Sequence, residues 1–86
     1  MNVTFLELDH IEIDGKVYDR VHGGAFDRGA ADSYYGRTRC PHMYPNGTYN
    51  EPRMGMSLMS PEEINAYHAG YDWNEQCGDR KDYGCL

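Results

Sequence analysis

The side chains best suited to chemistry in this 86-residue chain are its cysteines and histidines. Cys40 and His42 place a thiol and an imidazole two positions apart, and a cysteine nucleophile with its base needs those two groups. A working nucleophile also needs a group that orients the base and donors that stabilise an oxyanion. The sequence marks neither, so we expect a protein that is not an enzyme and uses no cofactor.

The same residue types are ligands of zinc. Cys40, His42, His68 and Cys77, with Cys85 near the end of the chain, would suffice in number. Their spacing matches no paired Cys-x-x-Cys knuckle. A small zinc-binding module is therefore a third hypothesis, set against an interpretation in which Cys40 and Cys77 are small buried apolar groups.

The charge is distributed unevenly along the chain. The net charge is −6, which disfavours nonspecific binding of nucleic acid. Residues 1–33 and 62–86 each sum to −4, whereas residues 34–61 sum to +2. Acids on the two predicted helices would form a patch that docks on a basic partner. Those acids are Asp27, Asp32, Asp72 and Glu75.

Arginines and tyrosines are interleaved in the segment 34–44, which reads Tyr-Tyr-Gly-Arg-Thr-Arg-Cys-Pro-His-Met-Tyr. Guanidinium groups contact phosphates and tyrosine rings stack on bases, so this segment is a candidate for RNA contact. The candidate residues are Arg37, Arg39 and Tyr44. The arginines could instead pair with the acids of the second helix or cap the carbonyls of the first.

A five-residue pattern occurs twice and locates the elements that must position these groups. Ala-Phe-Asp-Arg-Gly at 25–29 returns as Ala-Tyr-His-Ala-Gly at 66–70. In a helix, an aromatic residue followed three positions later by glycine sets a large side chain beside a bare strip of backbone. We therefore predict helices over 25–35 and 60–77 that pack face to face, each aromatic ring against the other helix's glycine.

The spacing of apolar residues predicts which side of the first helix is buried. Phe26, Ala30 and Tyr34 recur every four positions and form the predicted inward stripe. Asp27 and Arg28 then lie on the opposite, outward side.

The second helix begins at a capping signal. Residues 60–63 read Ser-Pro-Glu-Glu, which combines an N-cap serine, a first-turn proline and a glutamate three positions on, and Gly78 ends the helix. Between the helices, residues 36–59 are rich in proline and glycine, which predicts a long irregular loop. Four apolar residues are expected to return this loop to the core: Met54, Met56, Leu58 and Met59.

The N-terminal region predicts a β-hairpin. Asp14-Gly15 separates Ile-Glu-Ile at 11–13 from Val-Tyr at 17–18, and Asp-Gly favours a type I′ turn between two strands. The chain is therefore expected to be a single α+β domain. Its parts are a β-hairpin region at 3–21, helix one at 25–35, an irregular loop at 36–59, helix two at 60–77 and a charged tail at 78–86.

Between residues 25 and 77 the order of short motifs resembles ribosome modulation factor and its relatives, which are short two-helix proteins. An aromatic residue precedes Arg-Gly at 28–29, then come Gly-Arg at 36–37 and Cys-Pro at 40–41. The second helix adds Tyr67, Gly70 and Tyr71. This resemblance implies a ribosome- or RNA-associated regulator, although that family is strongly basic and this chain is acidic.

A longer pattern is similar to a family of small tailed-phage proteins. It consists of Arg-Gly-Ala-x-Asp-x-Tyr-Tyr-Gly-Arg at 28–37, Pro-His-x-Tyr at 41–44 and Glu-Glu-Ile-x-Ala-Tyr-x-Ala-Gly-Tyr at 62–71. The resemblance implies a phage-encoded accessory protein that acts on a target in the host cell.

We therefore expect a non-enzymatic accessory protein that binds and modulates, by inhibition, a host macromolecule, preferably a protein. The four acids named above would supply steering, and Tyr34, Tyr35 and Trp73 would supply aromatic anchors. The alternative is the ribosome- or RNA-associated regulator, and a homodimer also stays open. The sequence has no stretch of transmembrane length and no secretory signal, so we expect a cytoplasmic protein with no membrane partner.

Overall fold

The computed structural model of this protein describes residues 2–6, 9–47 and 50–78. Within them the order of elements is β1 (Val3–Leu6), β2 (His10–Ile13), β3 (Lys16–Asp19), α1 (Ala25–Tyr34), β4 (His42–Met43), β5 (Met54–Gly55), a 3₁₀ turn (Met56–Leu58) and α2 (Pro61–Cys77). The predicted α+β class is confirmed. Apart from Gly78, the predicted charged tail lies outside the described residues, as does Cys85.

The N-terminal strands form a three-stranded antiparallel sheet in the order β1-β2-β3, one strand more than the predicted hairpin. Asp14 and Gly15 connect β2 to β3 with φ angles of 52° and 89°, so both central positions of the turn are left-handed, as a type I′ turn requires. Alternate residues of β2 point to the same side of the sheet. Ile11 and Ile13 are therefore buried together, and they pack on Phe26 of α1.

Helices α1 and α2 approach each other at two glycines. A Cβ atom on Gly29 would overlap the carbonyl oxygen of Tyr67 and lie 2.9 Å from its carbonyl carbon. A Cβ atom on Gly70 would meet the carbonyl group of Phe26 in the same way. Only glycine leaves room for such backbone contact. The predicted face-to-face packing of the two repeated patterns is confirmed, but the group that meets each glycine is the backbone carbonyl of the aromatic residue and not, as predicted, its ring.

The buried side of α1 differs from the predicted one. Ala30 and Tyr34 are only half-buried, whereas Arg28, which was expected outside, is 5% exposed. The helix contact is centred on Gly29, so the residues three and four positions after it turn toward α2. Arg28 is buried by the segment that follows α1, where it contacts His42 and Tyr44. The buried residues of α1 are Ala25, Phe26, Arg28, Gly29, Asp32 and Ser33.

The connection between the helices contains a short two-stranded ladder. β4 and β5 pair antiparallel, with Met43 opposite Met54. Met59 is buried against Tyr67. Met56 and Leu58 are 55% and 67% exposed, so the prediction that they return the loop to the core is wrong for these two. They belong to the 3₁₀ turn, which follows the ladder and contributes no buried residue.

Helix α2 begins at the predicted capping box. The Ser60 hydroxyl accepts a hydrogen bond from the Glu63 amide at 3.1 Å, and the Ser60 amide donates to a Glu63 carboxylate oxygen at 2.8 Å. These two bonds satisfy amides that have no partner within the helix. The helix ends as predicted before Gly78, whose amide donates to the Asn74 carbonyl.

Replacing Gly29 with alanine tests the helix contact. Alanine favours a helix by about 1 kcal/mol over glycine. The clash with the Tyr67 carbonyl group is expected to outweigh that gain, so we predict that Gly29→Ala lowers the free energy of unfolding by about 2 kcal/mol or more. Equilibrium unfolding in urea measures it.

The matched control is Gly55→Ala. Gly55 has a φ of −83°, and a Cβ atom there would meet nothing closer than the Arg53 guanidinium at 3.9 Å. We expect its free energy of unfolding to stay within about 0.5 kcal/mol of wild type. A Gly29→Ala protein as stable as the control would contradict the helix contact described here.

Candidate functional site

A buried polar network joins α1, α2 and the segment that follows α1. Asp32 is 3% exposed, and its carboxylate accepts a hydrogen bond from the Tyr67 hydroxyl. That hydroxyl in turn accepts from the Cys40 amide at 2.9 Å. Burial, and then the hydrogen bond to Asp32, raise the pKa of Tyr67 well above its usual value. The phenol therefore stays protonated and keeps donating to the carboxylate.

His42 extends this network to Arg28. The Arg28 Nε–H donates to His42 Nε2 at 3.2 Å, so that nitrogen carries no proton, and the proton on Nδ1 is shared with the Cys40 carbonyl at 2.7 Å. Burial is the main cause that lowers the pKa of His42. The Cys40 carbonyl and the Asp32 carboxylate oppose this, while the charges of Arg53 and Arg28 add to it. His42 is therefore neutral near pH 7.

The candidate zinc ligands and the candidate thiol–imidazole pair do not come together in the part of the chain that the structure describes. Both nitrogens of His42 are hydrogen-bonded, so this imidazole is not placed to take the Cys40 proton. His68 contacts Arg39 instead of a cysteine. Among the described residues, no three His, Cys, Asp or Glu side chains form a group that could hold a metal ion. Cys40 and Cys77 are exposed free thiols, so the interpretation that they are buried is wrong.

Tyrosines and arginines form a contiguous surface beside the network. The Arg37 guanidinium lies 4.7 Å from the centre of the Tyr35 ring, and that ring packs edge-on against Tyr34 at 4.9 Å. The Arg39 guanidinium lies 4.3 Å from the centre of the Tyr71 ring. The Tyr71 hydroxyl joins the two pairs by donating to the Arg37 carbonyl at 2.5 Å.

We name these tyrosines and arginines, together with the carboxylate that pairs with Arg39, the aromatic–arginine surface. Its members are Tyr34, Tyr35, Arg37, Arg39, Tyr71 and Asp72. It combines residues predicted to bind a protein with residues predicted to bind RNA. The pairing of Arg39 with an acid of the second helix is one of the two arginine roles that the sequence left open.

The buried network determines where this surface begins. Gly36, with a φ of 69°, turns the chain at the end of α1. The Arg37 amide then donates to the Asp32 carbonyl at 2.7 Å, and its guanidinium lies 3.4 Å from the Asp32 carboxylate. The direction of the chain after α1 is therefore fixed by a side chain that sits in the helix contact.

The other acids predicted for the binding patch have internal partners. Asp32 is buried, so its placement on an outward patch is wrong: it lies on the side of α1 that the glycine contact turns inward. Asp27 accepts a hydrogen bond from the Gly23 amide at 2.9 Å. Glu75 accepts one from the Ser33 hydroxyl at 2.5 Å. Of the four predicted acids, Asp72 alone belongs to the aromatic–arginine surface.

Trp73, the remaining predicted anchor, belongs to the core beneath the sheet. Its ring centre lies 5.8 Å from that of Phe26 and 6.2 Å from that of Phe5. The Arg20 guanidinium lies 5.7 Å from the same ring. Trp73 therefore supports the packing of the sheet on the helices and is separate from the aromatic–arginine surface.

A cavity of about 370 Å³ opens beside the network and is named the arginine-lined cavity. The described residues that line it include Arg28, Asp32, Arg37, Thr38, His42, Tyr44 and Arg53. Tyr44, the third predicted RNA contact, lies here and not on the aromatic–arginine surface. Sequence reasoning missed the roles of Arg28 and Arg53, which come from parts of the chain outside the interleaved segment.

No protein-family model, curated protein or solved structure matches this chain. In the part of the chain that the structure describes, no helix is both long enough and apolar enough to cross a membrane.

The neutral state of His42 predicts a pH dependence of stability. Its pKa in the folded protein lies below the value of 6.5 typical of an unfolded chain, so the unfolded state binds the proton first as the pH falls. This contribution is complete above about pH 6.5 and is lost as the pH falls toward the lower folded-state pKa. Because a single proton is involved, the free energy of unfolding changes by at most about 1.4 kcal/mol per pH unit. Urea unfolding at several pH values measures the loss.

The comparison that isolates His42 uses two variants. His42→Gln is expected to lose less free energy of unfolding than wild type between about pH 7 and pH 5. His68→Gln, which changes a half-buried histidine outside the network, is expected to keep the wild-type loss. Equal pH dependence in wild type and His42→Gln would show that His42 is not held neutral.

Proposed function

We propose that this protein is a non-enzymatic, phage-type accessory protein that binds a host protein in the host cytoplasm and inhibits it. The proposed contact is the aromatic–arginine surface. One observation carries the proposal: two ring–guanidinium pairs, Tyr35 with Arg37 and Tyr71 with Arg39, lie side by side and are joined by a hydrogen bond.

The composition of this surface suits a protein partner. Tyrosine and arginine are enriched among the residues that contribute most to binding energy in protein interfaces. Immobilising a long side chain on binding costs about 0.5–1.5 kcal/mol. Here Arg39 is already held between the Tyr71 ring and the Asp72 carboxylate, so part of that cost is met before binding.

The charges favour a protein over a polyanion. Arg39 is paired with the carboxylate of Asp72 on α2. The surface therefore presents both signs, and the whole chain has a net charge of −6. The net charge of the chain opposes the approach of a phosphate backbone, whereas a protein that carries charges of both signs can pair with both the arginines and the carboxylate of this surface.

The alternative function is a ribosome- or RNA-associated regulator. A specific observation favours it: Arg37 and Tyr44, two of the three predicted RNA contacts, line the same cavity. The third, Arg39, is paired with Asp72.

Affinity capture from a bacterial lysate, followed by measurement of binding to the purified captured protein, tests the leading proposal. The test variants are Tyr35→Ala and Arg39→Ala, because Tyr35 is 40% exposed and Arg39 contacts Tyr71, Asp72 and His68, which lie outside the buried network. We expect each to weaken binding of that one host protein by about thirtyfold or more, as for central interface residues. Leu58→Ala, which removes an exposed apolar side chain elsewhere, is the control and should bind like wild type.

Three results would contradict the proposal. The first is wild-type affinity in both test variants. The second is co-sedimentation with ribosomes that is lost in Arg37→Glu/Arg39→Glu, which would support the alternative. The third is a concentration-dependent dimer that Tyr35→Ala abolishes, which would assign the surface to contact between two copies of this chain.

A further inference from the structure

Three arginines from distant parts of the chain meet at the arginine-lined cavity. Arg28 comes from the middle of α1, Arg37 follows α1, and Arg53 precedes β5. Guanidinium groups remain charged at any physiological pH. Among the described residues that line the cavity, Asp32 is the one carboxylate and His42 is neutral, so their three positive charges and one negative charge sum to +2.

The arginines are held in place by contacts within the chain. The Nε–H of Arg28 donates to His42, which fixes the plane of a guanidinium that is buried. Arg37 is positioned by a hydrogen bond from its backbone amide to the Asp32 carbonyl and by the ion pair between its guanidinium and the Asp32 carboxylate. A site whose donors are already oriented loses little entropy when it binds a ligand.

The β4–β5 ladder brings the third arginine to the cavity. Met43 lies opposite Met54, so the next residues, Tyr44 and Arg53, leave the ladder at the same end. Both line the cavity, and Arg53 is exposed. The positive charges of Arg53 and Arg28 both lower the pKa of His42, which agrees with their placement around one space.

We infer that the arginine-lined cavity binds the phosphate group of a small phosphomonoester, such as a nucleoside monophosphate. Arginine is the side chain best matched to phosphate, because its planar fork donates two parallel hydrogen bonds. Thr38 also lines the cavity, and a threonine hydroxyl is a donor of the kind that phosphate oxygens accept. This inference goes beyond the proposed contact with a host protein and does not depend on it.

Charge and volume favour a phosphomonoester over an RNA backbone. A monoester carries nearly two negative charges at neutral pH, which matches the +2 of the cavity, whereas each linkage of a backbone carries one. The volume of about 370 Å³ lies at the lower end of the range for small-molecule sites. A terminal phosphate can enter such a cavity end-on.

Isothermal titration calorimetry with the full chain at about pH 7.5, where the monoester is a dianion, tests the inference. The probes are inorganic phosphate, ribose 5-phosphate, adenosine 5′-monophosphate and adenosine. We expect the three phosphates to bind and adenosine not to bind. Tighter binding of the esters than of inorganic phosphate would identify an organic ligand, and equal affinity would identify free phosphate.

The test variant is Arg53→Gln, because Arg53 is exposed and its replacement leaves the contacts of Arg28 and Arg37 with the buried network in place. Losing one charged donor to phosphate is expected to weaken binding by about tenfold or more. Arg39→Gln is the matched control: it removes the same charge from the aromatic–arginine surface, outside the cavity, and should leave the affinity within about twofold. Thermal unfolding of each variant without ligand verifies that it is folded.

Several outcomes would overturn the inference. One is the absence of binding by all three phosphates up to about 10 mM, which is weaker than any useful site. Another is an equal loss of affinity for the phosphates in Arg53→Gln and Arg39→Gln, which would indicate general attraction between the anion and positive charge. Binding of adenosine as tight as that of its monophosphate, or binding of a short single-stranded RNA without any binding of phosphomonoesters, would also overturn it.

Discussion

The structure depends on the close approach of α1 and α2 at Gly29 and Gly70. At both places the missing side chain admits a backbone carbonyl group of the other helix, so neither helix can shift without a clash or a gap. A chain with few aliphatic residues gains particularly from such contact, because two aromatic rings, Phe26 and Tyr67, are buried by backbone as well as by side chains. Burial of each ring is worth about 2–3 kcal/mol.

The same approach brings polar residues into the interior. Because α1 turns its Gly29 side toward α2, Arg28 and Asp32 are carried inward and must find partners there. Asp32 finds the Tyr67 hydroxyl, and Arg28 finds His42. Through Asp32 the helix contact also fixes Arg37, which belongs both to the aromatic–arginine surface and to the arginine-lined cavity. Both candidate sites therefore share a residue that this packing contact positions.

The features that could be predicted from the sequence are those with a local cause. The Asp14-Gly15 turn and the Ser60 cap each act through residues a few positions apart. The helix contact is long-range, but it could be predicted because the same local aromatic-and-glycine pattern occurs on both helices. The inward side of α1 was mispredicted because hydrophobic spacing cannot recognise an aspartate that a tyrosine hydroxyl will satisfy. The contribution of Arg53 was missed because it depends on the pairing of two strands of two residues each, about ten residues apart. No sequence pattern predicts the pairing of strands that short.

The most direct test of the account is nuclear Overhauser spectroscopy on protein labelled with ¹³C and ¹⁵N. Backbone contact between the helices predicts strong cross-peaks from the Gly29 Hα protons to the backbone protons of Tyr67 and Tyr71, and from the Gly70 Hα protons to Phe26. Protons on the two backbones would then lie within about 5 Å of each other, since such contacts bring atoms to van der Waals distance. Helical chemical shifts in both segments without these cross-peaks would contradict the helix contact and the two sites built on it.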